Sequence, residues 1–144
     1  RQSSAGRADA LRVDPENRLL WRQSPRRLDA ESIRDGVLAT AGTLDRTLYG
    51  PPVGLDVSAA GEVTVAGEAD GGRRSLYVQV RRTQPVTVLN AFDAPVMETN
   101  CTRRVVSATP TQALTLLNSA FLASQSTRFA RRLNAEIPAD RSPY

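Results

Sequence analysis

Carboxylates are the side chains of this 144-residue chain that could carry chemistry at an active site. The sequence contains no histidine and no lysine. Within these residues it therefore lacks Ser–His and Cys–His relays, histidine-ligated zinc or haem, Schiff-base lysines and Ser–Lys catalysis. A single cysteine cannot form a thiolate cluster, and the sequence has neither a phosphate-binding loop nor a GxGxxG motif.

Asp35, Asp45 and Asp93 are the carboxylates considered for catalysis. Two such groups about 5–9 Å apart can hydrolyse a glycosidic bond. The spacing brings no two of the three together, and each could equally be a helix cap or an arginine partner. We retain Asp35 and Asp93 as candidate catalytic residues. No EF-hand-like loop is found, and we predict no metal-binding or cofactor-binding residue in the chain.

All side-chain positive charge is on arginine, and the formal net charge is +4. Arginines alternate with acids, as in residues 26–31 (RRLDAE). This pattern favours intramolecular salt bridges over a continuous phosphate-binding track, and the few aromatic residues provide no ladder for stacking bases, so we do not expect nucleic-acid binding. Arg34, Arg103 and Arg104 are candidate binding residues, which we expect to contact carboxylates.

Asn118 and Gln125 are candidate binding residues of another kind. They fall on the apolar stripe of a helix predicted over residues 111–133, together with Leu117 and Phe121. Inside a core, their amides would need hydrogen-bond partners. Alternatively, they form a polar seam that lines a cleft.

Capping signals predict three helices. Thr109, Pro110 and Gln112 form the start of the long helix, with the threonine as N-cap of a capping box. Asp14 as N-cap and Pro15 at the first helical position predict a short helix, with the only tryptophan on its buried side. A further helix is predicted over Ala30–Ala41, between an aspartate cap and a glycine stop.

The middle of the chain changes to a strand-like period of two. Residues 62–66 and 75–81 alternate in hydrophobicity, and an Asp-Gly-Gly turn at 70–72 lies between them, so a β-hairpin is predicted. A short helix is predicted from Pro85 to residue 92. The expected fold class is α+β, mainly α-helical with one β-hairpin or small antiparallel sheet, in one domain over residues 1–144.

The single Cys101 is expected to be a small buried hydrophobe, with pairing to a cysteine elsewhere in a longer protein as the alternative. No apolar run approaches the roughly 20 residues of a transmembrane helix. Neither terminus has a start or closing signal, so we expect the chain to be a fragment of a longer protein.

Six motifs carry a family resemblance. They are residues 14–22 (DPENRLLWR), 26–35 (RRLDAE followed by IRD), 73–77 (RRSLY), 92–95 (FDAP), 101–104 (CTRR) and 109–118 (TPTQALTLLN). In this order they resemble the C-terminal secreted-protein domain described in planctomycetes, a domain of unknown function. The resemblance implies the C-terminal half of that domain, with no established catalytic residues. Tyr49 and Val96 depart from the family pattern, and Val96 weakens any idea of an acidic metal site around Asp93.

The resemblance further implies a periplasmic or extracellular location and a large parent protein that often carries c-type cytochrome modules, so haem c can be present in the parent. We therefore expect a non-catalytic structural or binding module of such a protein, because structural signals outnumber nucleophiles and bases. The alternative is a carboxylate-dependent hydrolase acting on extracellular polysaccharide. Expected partners are other domains of the parent protein, with a polysaccharide or a cytochrome module as further candidates.

Overall fold

Helix α2 (Ala30–Ala41) is the element against which most of the fold packs. The computed structural model describes residues 3–68, 70–95, 100–104 and 106–136. The other elements are α1 (Ala8–Val13), β1 (Leu44–Asp45), β2 (Leu55–Val57), β3 (Val63–Val65), β4 (Gly72–Arg73), the 3-10 helix η1 (Ser75–Tyr77), α3 (Thr87–Ala91), α4 (Pro110–Asn118) and α5 (Ala120–Glu136). The fold is α+β and mainly helical, as predicted.

The bounds of α2 agree with its capping signals. Gly42 adopts the left-handed conformation, with φ of 78°, and donates its N–H to Ala39 O at 3.2 Å, so the helix ends there. Its buried residues are Ala30, Arg34, Leu38 and Ala41. Arg34 is fully buried, whereas Ile33 and Val37 are half-buried. The helix therefore directs the Arg34 guanidinium group into the centre of the fold together with the aliphatic side chain of Leu38.

A β-hairpin forms and includes the predicted strand at residues 62–66 as β3, but the partner of that strand is β2 and not residues 75–81. β2 pairs antiparallel with β3, and Leu55 lies opposite Val65. Residues 75–81 instead begin with η1 and contribute a single parallel bridge, from Val78 to Val53. The residues of the predicted turn lead into β4, which pairs in parallel with β1. The prediction was wrong because alternation over a short segment neither identifies the partner of a strand nor excludes another backbone conformation, such as η1 in residues 75–81.

The long predicted helix is two helices. Ser119 has an extended backbone, with φ of −70° and ψ of 124°, and separates α4 from α5. Its carbonyl accepts the N–H of Ala123 at 3.0 Å, so this serine begins the second helix. Because the break shifts the helical phase, Leu117 is exposed while Phe121 and Gln125 are buried. The predicted start is confirmed: Thr109 begins α4 within a capping box.

The N-terminal helix also lies elsewhere than predicted. α1 precedes Asp14, and the chain after it forms turns. The Asp14 carboxylate accepts the N–H groups of Arg18 at 2.9 Å and Leu19 at 2.7 Å, and the Asp14 carbonyl accepts Trp21 Nε1–H at 2.9 Å. The aspartate therefore organises a loop rather than capping a helix, because Asn17 adopts a left-handed φ of 57° that a helix cannot continue through.

Two apolar clusters flank α3 and share Leu89. One is formed by Ala30, Val88 and Phe92, and the other by Val65, Val78 and Val86.

Within the described part of the chain, no helix combines the length and hydrophobicity needed to cross a bilayer.

Candidate functional site

Arg34 is the fully buried charge at the centre of the fold. Its Nε donates to the Glu68 carboxylate at 3.3 Å, and its Nη1 donates to Arg73 O at 3.0 Å and Ser75 Oγ at 3.3 Å. The guanidinium carbon lies 5.7 Å from the centre of the Phe121 ring. One side chain of α2 therefore joins the β3–β4 connection, the start of η1 and α5.

Glu68 is the carboxylate of this cluster, and only 7% of its side chain is exposed. Burial raises the pKa of Glu68, while the Arg34 guanidinium acts in the opposite direction. The Glu68 carbonyl also accepts Gln125 Nε2–H at 3.0 Å, and Gln125 Oε1 accepts the Thr43 hydroxyl at 2.6 Å. Gln125 is thus a core residue with bonded amide atoms, the first of the two arrangements considered for it.

Asp35, a candidate catalytic residue, lies beside this cluster. Its Oδ1 accepts both the N–H and the hydroxyl of Ser75, each at 2.7 Å. Its Oδ2 lies 3.6 Å from Arg74 Nε. The carboxylate thereby fixes the start of η1 against α2. This arrangement explains why residues 75–81 do not begin as a strand.

Asp93, the other candidate catalytic residue, joins three segments. Its Oδ2 accepts Arg27 Nη2–H at 2.7 Å and the Ser107 N–H at 2.8 Å, and both of its oxygens lie 2.9 Å from the Ser107 hydroxyl. Arg27 also donates to the carbonyls of Phe92 and Ser107. The Ser107 N–H and hydroxyl and the Arg27 guanidinium hold the pKa of Asp93 below its ordinary value. Asp35 and Asp93 share no hydrogen-bond partner among the described residues. We call the group Arg27, Asp93 and Ser107 the Asp93 clamp.

Replacing Asp93 with asparagine should lower stability at neutral pH, and the loss should shrink on acidification. The folded-state pKa of Asp93 is depressed, so its stabilising contribution is fully present above the unfolded-state pKa, near 3.8. That contribution disappears as the pH falls through the lower folded-state value. Urea unfolding at a series of pH values measures the difference. Asp9→Asn is the control, because Asp9 belongs to an exposed pair. A pH-independent difference between wild type and Asp93→Asn would contradict the role assigned to the carboxylate.

Arg104 contacts a carboxylate, as predicted. It donates to both oxygens of Glu31, at 2.6 and 3.1 Å, which lowers the pKa of Glu31. Arg103 is exposed and has no carboxylate partner among the described residues. Cys101 is exposed, so the prediction that it is buried was wrong: it lies in an irregular segment, and neither apolar cluster found among the described residues includes it. Val96 lies outside the described residues.

Asn118 and Gln125 border different hollows. Asn118 is exposed at the end of α4 and lines a hollow of about 410 Å³ with Glu62 and Thr115. Gln125 borders another of about 400 Å³ between α2 and α5. The structure therefore places the two amides at separate sites and not along one seam, because the helix breaks between them.

An apolar cavity of about 160 Å³ lies between η1, α3 and the segment 78–86. Of the groups lining it, Glu31 binds Arg104 and Ser75 binds Asp35. Two candidate residues, Arg104 and Asp35, thus contact residues that line the cavity. Arg81 and Arg82 also line the cavity but were not among the predicted site residues, because a pair of arginines at the end of a predicted strand gives no sign of what it borders. The described residues contain no group of three potential metal ligands.

The fold and these contacts define a mainly helical α+β module in which arginine–carboxylate clamps join segments that are distant in sequence. The chain belongs to the PSD1 family, described as a protein of unknown function (DUF1553), which matches residues 1–141. This confirms the resemblance at the level of a domain of unknown function. Comparison with curated proteins and with solved structures gave no match.

Proposed function

We propose that the chain is a non-catalytic structural or binding module of a large secreted or periplasmic protein. The observation that carries this proposal is the Asp93 clamp. The Asp93 carboxylate accepts hydrogen bonds from Arg27 and from the backbone and hydroxyl of Ser107. A general acid or base works best with a pKa near the operating pH, whereas these contacts move the pKa of Asp93 in the opposite direction.

Asp35 supports the same proposal through different contacts. Its Oδ1 is bonded to the backbone and hydroxyl of Ser75, and Arg74 approaches its Oδ2. A carboxylate that holds two backbone segments together would disturb the fold if it changed its partners during a reaction. We therefore assign both aspartates to architecture.

The proposed location and partners of the module rest on the resemblance to planctomycete secreted proteins. In that setting the parent carries c-type cytochrome modules, and this chain contacts them or the parent's other domains. A histidine ligand to haem would have to come from another part of the parent, because the sequence has none. A polysaccharide is the further candidate partner.

The test compares Asp35→Asn and Asp93→Asn with wild type in the parent protein, assayed for release of reducing ends from polysaccharides. Asp45→Asn is the matched control, because Asp45 is exposed and bonds only its neighbour Thr47 among the described residues. We expect any turnover to be the same in all four proteins, measured below their unfolding midpoints. A loss of about 100-fold or more in a folded Asp35 or Asp93 variant would instead support a hydrolase.

A further inference from the structure

The hollow between α4, the start of α5 and the loop before β3 is lined mainly by residues with polar side chains. Its volume is about 410 Å³, and small-molecule sites occupy about 300–1,000 Å³. Among the described residues, its lining carries one charge, the carboxylate of Glu62. The other polar groups of the lining are the hydroxyls of Thr87, Thr111, Thr115 and Ser119 and the carboxamide of Asn118.

Three of these groups are not used by the fold. The Ser119 hydroxyl is buried but has no hydrogen-bond partner among the described residues, although buried hydroxyls normally have one. The Glu62 carboxylate is half-buried and the Asn118 carboxamide is exposed. Neither side chain has a hydrogen-bond or ionic partner in the part of the chain that the structure describes. Three residues of one lining therefore have polar groups available to a ligand.

This set of groups suits a ligand that carries several hydroxyls. A hydroxyl both donates and accepts, so it can donate to the Glu62 carboxylate or bond either atom of the Asn118 carboxamide. Hydrogen bonds to an ionised carboxylate are stronger than those between neutral groups. The same negative charge disfavours an anionic ligand. Leu114 also lines the hollow and is 57% exposed, so it offers an apolar surface to the C–H face of a ring.

We infer that this hollow binds one neutral sugar unit of a polysaccharide. Neighbouring hydroxyls of the unit donate to the Glu62 carboxylate, and a further hydroxyl bonds the Asn118 carboxamide. A rotation of the Ser119 side chain brings its hydroxyl to the ligand, which supplies the missing partner. The inference rests on the proposed function, since it names a ligand class and a site for a binding module.

Short neutral oligosaccharides of β-linked glucose, mannose and xylose are the probes. Titrated separately into the isotope-labelled 144-residue chain, at least one should give saturable amide chemical-shift changes at residues 60–62, 87 and 111–119 in NMR spectra. An oligogalacturonate of the same length carries a negative charge on each sugar unit and should bind at least about tenfold more weakly. Saturation by none of the three, shifts confined to another surface, or equal affinity for the oligogalacturonate would overturn the inference.

Variants at the three available groups separate binding from folding. Ser119→Ala should leave the urea unfolding midpoint unchanged, because the hydroxyl bonds no described residue, while it weakens sugar binding at least about threefold. Asn118→Leu should weaken binding about tenfold. Asn134→Leu makes the same change at an exposed position of α5 outside this lining and should leave the affinity unchanged.

Glu62→Gln tests the role of the charge. The variant keeps the size of the side chain, so it should still bind the neutral probe, but its preference over the oligogalacturonate should fall below about threefold. Unaltered affinity and selectivity in the Glu62, Asn118 and Ser119 variants would refute the site. That failure would leave the turnover assay of the aspartate variants standing, because those residues lie outside this lining.

Discussion

Replacing Arg34 with methionine should lower the free energy of unfolding by about 3–5 kcal/mol, which is the usual cost of removing one partner from a buried ion pair. The change removes the hydrogen bonds to Glu68, Arg73 and Ser75 together. It also leaves the Glu68 carboxylate buried without the cation that faces it. A loss of this size is a large part of the total stability of a typical domain.

Urea unfolding followed by circular dichroism measures the effect of Arg34→Met. Arg18→Met is the matched control, because Arg18 pairs with Glu16 on the surface, and exposed pairs contribute about 0–1 kcal/mol. Arg34→Lys keeps the charge but lacks the planar guanidinium group with its several donors, so its loss of unfolding free energy should be intermediate. This second variant keeps the prediction measurable if the methionine variant does not fold. A loss below about 1 kcal/mol in Arg34→Met would show that the buried cluster does not stabilise the fold.

Substituting alanine for Gly71 should destabilise the protein by at least about 2 kcal/mol. Gly71 has a φ of 123°, a conformation that glycine adopts without strain and other residues rarely adopt. A β-carbon built there would lie 2.7 Å from Thr43 O. That oxygen belongs to the backbone and accepts the N–H of Gly72, so it cannot move aside without loosening the β1–β4 pairing. Conformational strain and steric overlap therefore act together.

Gly67→Ala is the control for Gly71→Ala. Gly67 also has a positive φ, of 72°, but a β-carbon there has no neighbour within 4 Å. The control should therefore show only the left-handed strain, about 1–2 kcal/mol, and Gly71→Ala should show a larger loss in the same thermal or urea unfolding experiment. Equal losses would mean that the contact with Thr43 is not rigid.

The elements that sequence reasoning predicted correctly are those with local signals. Helix α2 ends at Gly42, as predicted, because a glycine in the left-handed conformation stops a helix without needing distant contacts. Helix α4 begins at Thr109 because the capping box is complete within four residues. The break at Ser119 was missed because helical periodicity continues across it. The pairing of β2 with β3 was missed because β2 has only three residues, too few for alternation to identify it as a strand.

The candidate site was harder to predict because its contacts are long-range. Arg34 was predicted to contact a carboxylate and does so, but the sequence indicates neither its full burial nor its partner, Glu68, which lies 34 positions along the chain. The alternation of arginines and acids did predict salt bridging, and Arg104 fulfils that prediction across 73 positions. Which acid each arginine meets depends on tertiary packing. The catalytic roles considered for Asp35 and Asp93 stay predictions until turnover is measured.

The central claim is that ion pairs between arginines and acids stabilise this fold. A double-mutant cycle on Arg34 and Glu68 tests it most directly. Unfolding free energies are measured for wild type, Arg34→Met, Glu68→Leu and the double variant. We predict a coupling energy of more than about 1 kcal/mol, with the double variant less destabilised than the sum of the two single changes. Losses that add to within about 0.5 kcal/mol would contradict the account, because the buried arginine and its carboxylate would then act independently.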